Sequence, residues 1–362
     1  MKISTISIQN FKSIRELKLD FKDINIFVGA NGAGKSNLIS FFKLLNQIVN
    51  QNLQMYVAQK GGADNILYFG SKISKQIRLE IVFNQDIDNQ NNYNLTLYPS
   101  EPDSLFIMFE NAGYKANSYF NFYTEHIKHS GMESGILEDK SSVGKYVKQA
   151  FQSFKIYHFH DTSDFSPIKK VCDINDNQFL REDASNLASF LYLLQEKYES
   201  HFKQIQQSVR LIAPFFDRFD LKPSALNEEK IRLEWKEVGT DKYFNASHLS
   251  DGSLRMICLL TLLLQPKPPQ TIIIDEPELG LHPSAIQLLA SLIKSVSHQS
   301  QVIISTQSVT FINQFEPENI VIVERKDNQS VFKRLENEAL ADWLNDYALG
   351  EIWEKNVIGG RP

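Results

Sequence analysis

The sequence predicts an α/β fold with a mostly parallel sheet, and three observations support this class. An apolar strand, a glycine-rich turn and an amphipathic helix follow one another in "INIFVGANGAGKSNLISFFKLLNQI". Three later apolar runs, "TIIID", "QVIIST" and "NIVIVE", alternate with helical segments, as the strands of a parallel sheet do. Between these parts, "QIRLEIVF" and "YNLTLYP" alternate apolar and polar residues, which is typical of an antiparallel layer.

The predicted elements follow in chain order. "ISTISI", "LKLDF" and "INIFVG" are strands, and the apolar spacing over residues 38–48 predicts a helix. A helix is also expected over residues 142–154. Apolar positions recur every three or four residues from 187 to 212, which predicts one long helix packed on the core, with a short projecting coiled coil as the alternative. "LRMICLLTLLLQ" is a further, strongly apolar helix.

This order of elements predicts a discontinuous core with an insertion. Residues 1–83 and 229–333 would form the α/β core. Residues 84–228 would form an inserted antiparallel and helical region, and residues 334–362 a helical C-terminal tail. The length of 362 residues is sufficient for such an arrangement.

The composition predicts a cytoplasmic protein. Apolar residues make up 42% and charged residues 22%, and the net charge of −5 does not indicate a basic nucleic-acid surface, although a local patch stays open. Two cysteines cannot build a disulfide framework and suit a reducing compartment. The N-terminus lacks a signal-peptide pattern, and the longest apolar run, "MICLLTLLL", is too short to cross a bilayer, so no membrane partner is expected.

The glycine-rich turn matches the phosphate-binding pattern G-x-x-x-x-G-K-[S/T] at every fixed position. Its glycines let backbone N–H groups converge on phosphate oxygens, and the following helix adds its positive N-terminal end. The lysine would reach the β- and γ-phosphates, and the serine would ligate Mg²⁺. The expected nucleotide-binding residues are Gly29, Ala30, Asn31, Gly32, Ala33, Gly34, Lys35, Ser36 and Asn37. A glycine-rich turn without a ligand is the alternative.

Two carboxylates follow the apolar strand "TIII". Asp275 and Glu276 stand at its carboxyl end, the edge at which open α/β sheets bind ligands. Asp275 can hold Mg²⁺, directly or through water, and Glu276 can orient or deprotonate an attacking water. A strand that ends in solvated acids is common by itself, but together with a phosphate loop the pair indicates nucleotide hydrolysis.

The segment "LSDGS", residues 249–253, is called here the signature segment and forms a second candidate anion cradle. It combines a small hydroxyl, a glycine and the start of a helix. Because the phosphate loop already serves its own phosphate, this cradle would fit a γ-phosphate held by another copy of the chain. As an isolated pentapeptide it can equally be a serine N-cap with a glycine turn.

In this order, "GANGAGKS", "LSDGS", "IIIDEPELGLHP" and "IISTQS" resemble the motifs of ABC-type ATPases of the RecF, SMC and OLD group. With "NFKSI" near the start and "ALGEIWEKNVIGGRP" at the end, the chain is similar to stand-alone bacterial ATPases that are often labelled AAA-type. The resemblance covers most of the chain. It implies a P-loop NTPase of ABC type that binds ATP and Mg²⁺ and assembles as a head-to-tail homodimer.

The resemblance also implies roles for single residues. The catalytic residues would be Lys35, Glu276 and Gln307. The Mg²⁺ ligands would be Ser36 and Asp275. The contacts to a γ-phosphate across the dimer would be Ser250 and Gly252. Residues 278–282, named here the crossing loop, would connect the two sites, and the base and sugar would lie near Asn10, Phe11 and Lys12.

Some positions depart from transporters of the same ABC type. Asp251 and Ser253 stand where those transporters usually carry glycine and glutamine. Gln307 replaces their histidine, so it can donate an amide N–H but cannot carry a positive charge. Gln59 is a candidate for the Mg²⁺-sensing glutamine by residue type, and the region after "KIYHF" is one by position.

The segment "YHFHDTSD" suggests an alternative chemistry. His158 and His160 are two residues apart, hence on one face of a predicted strand, and Asp161 and Asp164 follow. Such a set can begin a metal site, which a self-contained metal-dependent hydrolase would use. The simpler interpretation is a strand that enters the nucleotide site with polar residues at its end.

Together with these motifs, the resemblance implies a dimeric ATPase that senses or clamps DNA, or a separately encoded nuclease or effector, in DNA repair or anti-phage defence. About fifty residues follow "STQSVTFINQF", which is too few for a nuclease domain of the OLD type. A GTPase is disfavoured because the chain has no Asn-Lys-x-Asp segment. A small-molecule kinase would leave the signature segment unexplained.

Overall fold

The computed structural model describes residues 1–84, 89–116, 121–128 and 130–361 of the chain. The chain forms two compact units. The first unit comprises Met1–Lys155, Gln270–Ile273 and Ser300–Pro362, and the second comprises Ile156–Pro269 and Ile274–Gln299. The boundaries that the sequence suggested at residues 84, 229 and 334 stay a prediction.

The strands and helices have the following bounds. The strands are β1 Lys2–Phe11, β2 Ile14–Asp20, β3 Ile24–Val28, β4 Ile77–Asn84, β5 Asn89–Ser100, β6 Ser104–Ala116, β7 Tyr123–Lys128, β8 Phe154–Tyr157, β9 Cys172–Asp173, β10 Phe216–Phe219, β11 Lys230–Ile231, β12 Glu234–Glu237, β13 Tyr243–Asn245, β14 Thr271–Asp275, β15 Gln301–Thr306, β16 Ile320–Lys326 and β17 Gln329–Arg334. The helices are α1 Lys35–Val49, α2 Leu53–Gln59, α3 Gly70–Ile73, α4 Ser142–Gln152, α5 Leu187–Lys197, α6 Glu199–Ile212, α7 Asp251–Leu264, α8 Pro283–Val296, α9 Val309–Ile312, α10 Asn337–Leu344 and α11 Leu349–Glu354. Within the described residues, every helix is too short or too polar to span a membrane.

An antiparallel sheet forms one layer of the first unit, with the strand order β2-β1-β4-β5-β6-β7. Strand β1 lies in its interior, where Ile6 pairs with Leu19 on one side and with Ile81 on the other. Alternate residues of β4 are buried, as the sequence alternation predicts. The sheet therefore combines strands from both sides of residue 84.

The second sheet is the mostly parallel layer that the sequence predicts. Its strand order is β17-β16-β3-β15-β14-β8. Strand β3 is parallel to β15 and to β16, with Ile26 opposite both Ile304 and Ile320. All five residues of β3 are buried, and burial on both faces explains why these strands read as continuous apolar runs. The antiparallel strand β17 closes one edge.

Aromatic rings fill the core of the first unit. Phe42 on α1, Phe83 on β4, Phe151 on α4 and Phe154 on β8 have ring centroids between 5.6 and 6.3 Å apart. Their mostly edge-on contacts are the favoured arrangement for aromatic pairs. The sequence expectation of a helix over residues 142–154 is therefore met by α4, which ends two residues earlier.

The second unit is built around helix α7. This helix packs against α6 and α8, and all its residues from Leu254 to Leu263 are buried, as expected for so apolar a run. A small antiparallel sheet, β10-β12-β13, lies in the same unit. Its Trp235 stacks on Phe216 and Phe244, with centroids 6.0 and 4.9 Å apart.

The prediction of one helix over residues 187–212 is wrong, because the segment forms two helices. Tyr198, between α5 and α6, has φ −136° and ψ 53°, which is outside the helical region. The apolar spacing continues through this position, since each of the two helices buries an apolar face with the same helical periodicity. Periodicity alone therefore could not reveal the break.

Glu110 is a fully buried carboxylate in the antiparallel sheet. One oxygen accepts hydrogen bonds from the hydroxyl of Tyr93, at 2.7 Å, and from the hydroxyl of Ser134, and the other accepts from the Gly135 N–H at 2.8 Å. Burial of Tyr93 and the charge of Glu110 raise the pKa of the tyrosine well above its usual value. The hydroxyl therefore remains a donor, as a buried carboxylate requires.

Replacing Tyr93 should destabilise the protein through this carboxylate. Tyr93→Phe leaves Glu110 buried with one donor fewer, so we expect the free energy of unfolding to fall by about 1–3 kcal/mol in denaturant titrations. The control is Tyr123→Phe, which removes an exposed hydroxyl and should change stability by less than about 0.5 kcal/mol. Equal effects of the two variants would contradict this account.

Candidate nucleotide-binding site

The predicted phosphate loop, residues 29–36, lies between the end of β3 and the first turn of α1. Gly32 and Gly34 have φ angles of 80° and 118°, which residues with a side chain adopt only under strain. Gly29 is required for another reason, because a Cβ there would lie 2.1 Å from the Val323 carbonyl oxygen on β16. Gly32 and Gly34 thus allow the backbone conformation of the turn, and Gly29 allows close packing on the neighbouring strand.

Two serines hold the second half of this loop. The Ser330 hydroxyl on β17 donates to the Ala33 carbonyl at 2.6 Å and lies 2.6 Å from the Ser13 hydroxyl, which accepts from the Asn37 amide at 2.6 Å. A Cβ at Gly34 would lie 1.9 Å from the Ser330 oxygen. Sequence reasoning missed Ser330 because no local motif surrounds it.

The first turn of α1 has the properties of an anion site. Lys35 is only 6% exposed, and its ammonium donates to the carbonyls of Gly29 at 2.5 Å and Ala30 at 3.0 Å. Among the described residues no side chain caps this helix, and its first turn has no acidic residue, so its positive end is not neutralised there. These residues fit a triphosphate. Ser36 is exposed beside them and offers a hydroxyl oxygen of the kind that Mg²⁺ prefers.

In the second unit, β14 ends at the two predicted carboxylates. Asp275 and Glu276 are half-buried, after four buried apolar or threonine residues. Glu276 has a φ of 41°, an uncommon backbone conformation for a residue with a side chain, and such strain concentrates at functional sites. The Leu279 N–H donates to the Glu276 carbonyl at 3.2 Å and so closes a turn into the crossing loop. Carboxylate oxygens at this position fit a hard cation such as Mg²⁺.

The signature segment begins helix α7. The Ser250 hydroxyl accepts from the Ser253 N–H at 3.2 Å, so it caps the helix, and it also donates to the Ser253 hydroxyl at 2.9 Å. Asp251 is exposed in the first turn, where a negative charge is favourable. A Cβ at Gly252 would lie 2.5 Å from the Gly280 carbonyl oxygen. Glycine is therefore needed here so that the signature segment can pack on the crossing loop.

A buried arginine connects these segments of the second unit. Arg255 donates to the carbonyls of Phe159 at 3.0 Å, His160 at 3.2 Å and Leu279. Helix α7, the segment after β8 and the crossing loop therefore share one guanidinium. Sequence reasoning missed Arg255, although a single charged residue within "LRMICLL" was a signal that could have identified it.

The alternative metal site at the histidine segment is not formed. Strand β8 ends at Tyr157, so His158 and His160 do not lie on a strand face as predicted. The Asp161 carboxylate accepts from the Ser163 N–H and hydroxyl at 3.1 and 2.7 Å, while Asp164 lies 3.7 Å from a lysine ammonium. Among the described residues, no group of three histidine, cysteine or acidic side chains could hold a metal ion.

A cavity in the first unit lies beside the phosphate loop. It measures about 660 Å³, and its lining includes Lys12, Ser13, Asn37 and Phe69. Burial and nearby lysines lower the pKa of Lys12. The Phe69 ring is 56% exposed and could contact a base, whereas Phe11 is fully buried and cannot. Of the three residues expected near base and sugar, only Lys12 lines this cavity.

Gln307, a predicted catalytic residue, and Gln59, a candidate for the Mg²⁺-sensing glutamine, differ in their positions in the fold. Gln307 follows the end of β15 directly, in the first unit, which also carries the phosphate loop. Gln59 is an exposed residue at the end of α2, not after a strand. The second unit carries the other predicted site residues, namely Ser250, Gly252, Asp275 and Glu276.

Comparison with known proteins agrees with this fold. The Old nuclease of Escherichia phage P2 is 21% identical over 94% of this chain, which spans 62% of the nuclease. A solved Smc head bound to the C-winged helix domain of ScpA has 17% identity and a TM-score of 0.64, covering 94% of this chain and 100% of that one. A Pyrococcus furiosus Smc head with an extended coiled coil, bound to the C-terminal domain of ScpA, has 16% identity and a TM-score of 0.58, over 95% and 99% of the two chains. These likenesses confirm the predicted ABC-type P-loop fold.

The family is shown by a sequence model described as "AAA domain, putative AbiEii toxin, Type IV TA system", which matches residues 24–313. This range begins with the strand before the phosphate loop and ends just after α9. Since the match covers most of the chain, the protein belongs to this AAA-domain family of P-loop ATPases.

Proposed function

We propose that the protein is a Mg²⁺-dependent ATPase that works as a nucleotide-gated homodimer. The observation that carries this proposal is the phosphate loop, in which a buried lysine stands beside an uncapped helix N-terminus. Such a site binds anions through groups that are already in place, so little reorganisation is needed on binding. Family membership supports ATP as the nucleotide. The cytoplasm, where ATP is abundant, is the proposed location.

The proposed site residues divide the tasks of phosphoryl transfer. Lys35 exchanges its carbonyl contacts for the β- and γ-phosphates, and Gln307 donates its amide N–H to the γ-phosphate. Ser36 and Asp275 would hold Mg²⁺, which neutralises charge on the phosphates when it is bound. Glu276 orients the attacking water and accepts its proton.

The signature segment is proposed to act on the nucleotide of a second copy of the chain. The Ser250 oxygen accepts from the Ser253 N–H, while its proton points to the Ser253 hydroxyl. Redirecting that proton to a γ-phosphate costs one exposed hydrogen bond and leaves the helix cap intact. Closure of the dimer therefore requires little rearrangement in α7, and hydrolysis removes the phosphate that holds the copies together.

DNA, or a separately encoded nuclease or effector, is the proposed partner of the closed dimer, in DNA repair or anti-phage defence. Two likenesses support this class of partner. The phage relative is a nuclease, although this chain spans only 62% of it. The solved Smc heads are bound to ScpA, a second protein. A gated ATPase whose closed state presents a new surface suits both kinds of partner.

Loss of the loop lysine should abolish nucleotide binding. We expect Lys35→Ala to lower ATP affinity at least about tenfold and hydrolysis to background, because the cation at the β- and γ-phosphates is removed. Calorimetric titration and phosphate release measure the two effects. Lys333→Ala, an exposed cation on β17, is the matched control and should behave like wild type. If Lys35→Ala binds ATP as well as wild type does, the phosphate loop is not the ATP-binding site.

Blocking hydrolysis should trap the closed dimer. Glu276→Gln removes the proton acceptor but keeps the binding groups, so we expect it to dimerise with ATP and Mg²⁺ and to stay monomeric without them. Light scattering after size exclusion measures the mass. Double-stranded DNA is then added to the trapped form, and retention on the closed state alone supports the DNA-clamp proposal. A monomer at saturating ATP would rule out nucleotide-gated dimerisation.

Mixing two inactive variants tests whether each site is shared between copies. Ser250→Arg should block the signature contact, and Glu276→Gln should block chemistry, so each variant alone should be inactive. A heterodimer of the two has one site with all its residues intact. With random exchange the mixture should recover about one quarter of the wild-type rate of phosphate release. No recovery, with heterodimers demonstrated by differently tagged copies, would place the whole site within one chain.

A further inference from the structure

We propose that Arg361, in the C-terminal tail, is a further catalytic residue that binds the γ-phosphate of ATP. This inference rests on the proposed ATPase function. Residues 359–361 of the C-terminal tail lie beside the phosphate loop.

Two hydrogen bonds hold the tail in place. The indole N–H of Trp353, a side chain that is only 1% exposed, donates to the Gly360 carbonyl at 2.9 Å. The Gly360 N–H donates to the Glu324 carboxylate at 2.6 Å. A Cβ at Gly359 would lie 1.9 Å from an oxygen of the same carboxylate. The tail is therefore fixed by the end of β16 and by a buried indole.

Gly360 packs directly against the start of the phosphate loop. A Cβ at Gly360 would lie 3.6 Å from the Cα of Gly29 and 2.7 Å from the side chain of Ile322. Gly359 and Gly360 also have φ angles of 81° and 67°, so the tail turns at these two residues. This turn delivers the next residue, Arg361, to the loop.

Arg361 lines a cavity of about 690 Å³ together with residues 30–33 of the phosphate loop. Arg325 and Lys326 also line this cavity, so cations outnumber the single carboxylate of Glu324, which already accepts from the Gly360 N–H. Arg361 is exposed, and within the described part of the chain its guanidinium makes no hydrogen bond or ion pair. The cavity thus suits an anion, and this arginine is available to it.

The position of Lys35 identifies which end of the triphosphate this cavity would face. A lysine at this position of the motif reaches the β- and γ-phosphates. Its ammonium lies at the carbonyls of Gly29 and Ala30, so the first residues of the loop mark the γ-phosphate end. Gly360 packs on Gly29, and Arg361 shares its cavity with Ala30. The guanidinium therefore enters at the γ-phosphate.

A cation at this end favours the transition state of hydrolysis. The water oxygen forms a bond to the γ-phosphorus, while the bond from phosphorus to the bridging oxygen breaks and leaves its electron pair on ADP. The water proton passes to Glu276 and then to solvent, and inorganic phosphate is released. Negative charge is spread over the γ-phosphoryl oxygens during this step, where a planar, permanently charged guanidinium can donate two hydrogen bonds.

The test compares ATP with ADP, because only ATP carries the γ-phosphate. Affinities are measured by calorimetry in the Glu276→Gln background, which prevents hydrolysis, and rates of phosphate release are measured in the otherwise native chain. We expect Arg361→Ala to lower ATP affinity about fivefold or more, to leave ADP affinity within about twofold, and to slow hydrolysis at least about tenfold. Arg361→Lys should recover part of the rate. Lys333→Ala is the control.

Three results would overturn the inference. Equal weakening of ATP and ADP would show that the tail only supports the loop, and unchanged ATP affinity and rate would show that Arg361 does not reach the phosphate. Equal losses in Arg361→Ala and Lys333→Ala would reflect general surface charge. Failure of the ATPase function itself is distinct, since wild type would then bind ATP no better than Lys35→Ala.

Discussion

The phosphate loop depends on three backbone segments that meet with no side chain between them. A Cβ at Gly29 would lie 2.1 Å from the Val323 carbonyl oxygen, and a Cβ at Gly360 would lie 3.3 Å from the same oxygen. The loop is therefore shaped by β16 and by the C-terminal tail as well as by its own glycines. Where backbone segments pack this closely, an added methyl group would displace a neighbouring atom. Loop geometry is in this sense a property of residues that are about three hundred positions apart in sequence.

This dependence explains how much of the site could be predicted from the sequence. The phosphate loop and the apolar strands were predictable because their patterns are local. The roles of Ser330, Arg255 and Gly360 were not predicted, because each acts through a partner that is distant in sequence and that no local pattern reveals. The metal site suggested at the histidine segment was wrong for the opposite reason, because it was inferred from a local pattern alone. Its spacing suggested a shared strand face, but the strand ends at Tyr157 and the neighbouring acids have other partners.

Arg255 imposes a comparable constraint on the second unit. Its guanidinium is buried, and it donates to three backbone carbonyls, two in the segment after β8 and one in the crossing loop. Losing one of these contacts would leave a buried charged donor unsatisfied, which is more costly than losing an exposed hydrogen bond. The start of α7 and the crossing loop are further tied by the contact between Gly252 and Gly280. These segments are therefore expected to move together when the proposed dimer opens or closes.

In the proposed mechanism, the placement of charge around the γ-phosphate would keep the basal rate of hydrolysis low. Gln307 follows a buried strand and is neutral, so it incurs no charge-desolvation penalty as the site closes. Arg361 is exposed, so water screens its charge while the site is open. Its attraction to phosphate strengthens only when closure removes water, since Coulomb interactions grow as the local dielectric falls. A dimer built in this way would bind ATP in the open form through Lys35 and hydrolyse it rapidly only once a second copy has excluded solvent.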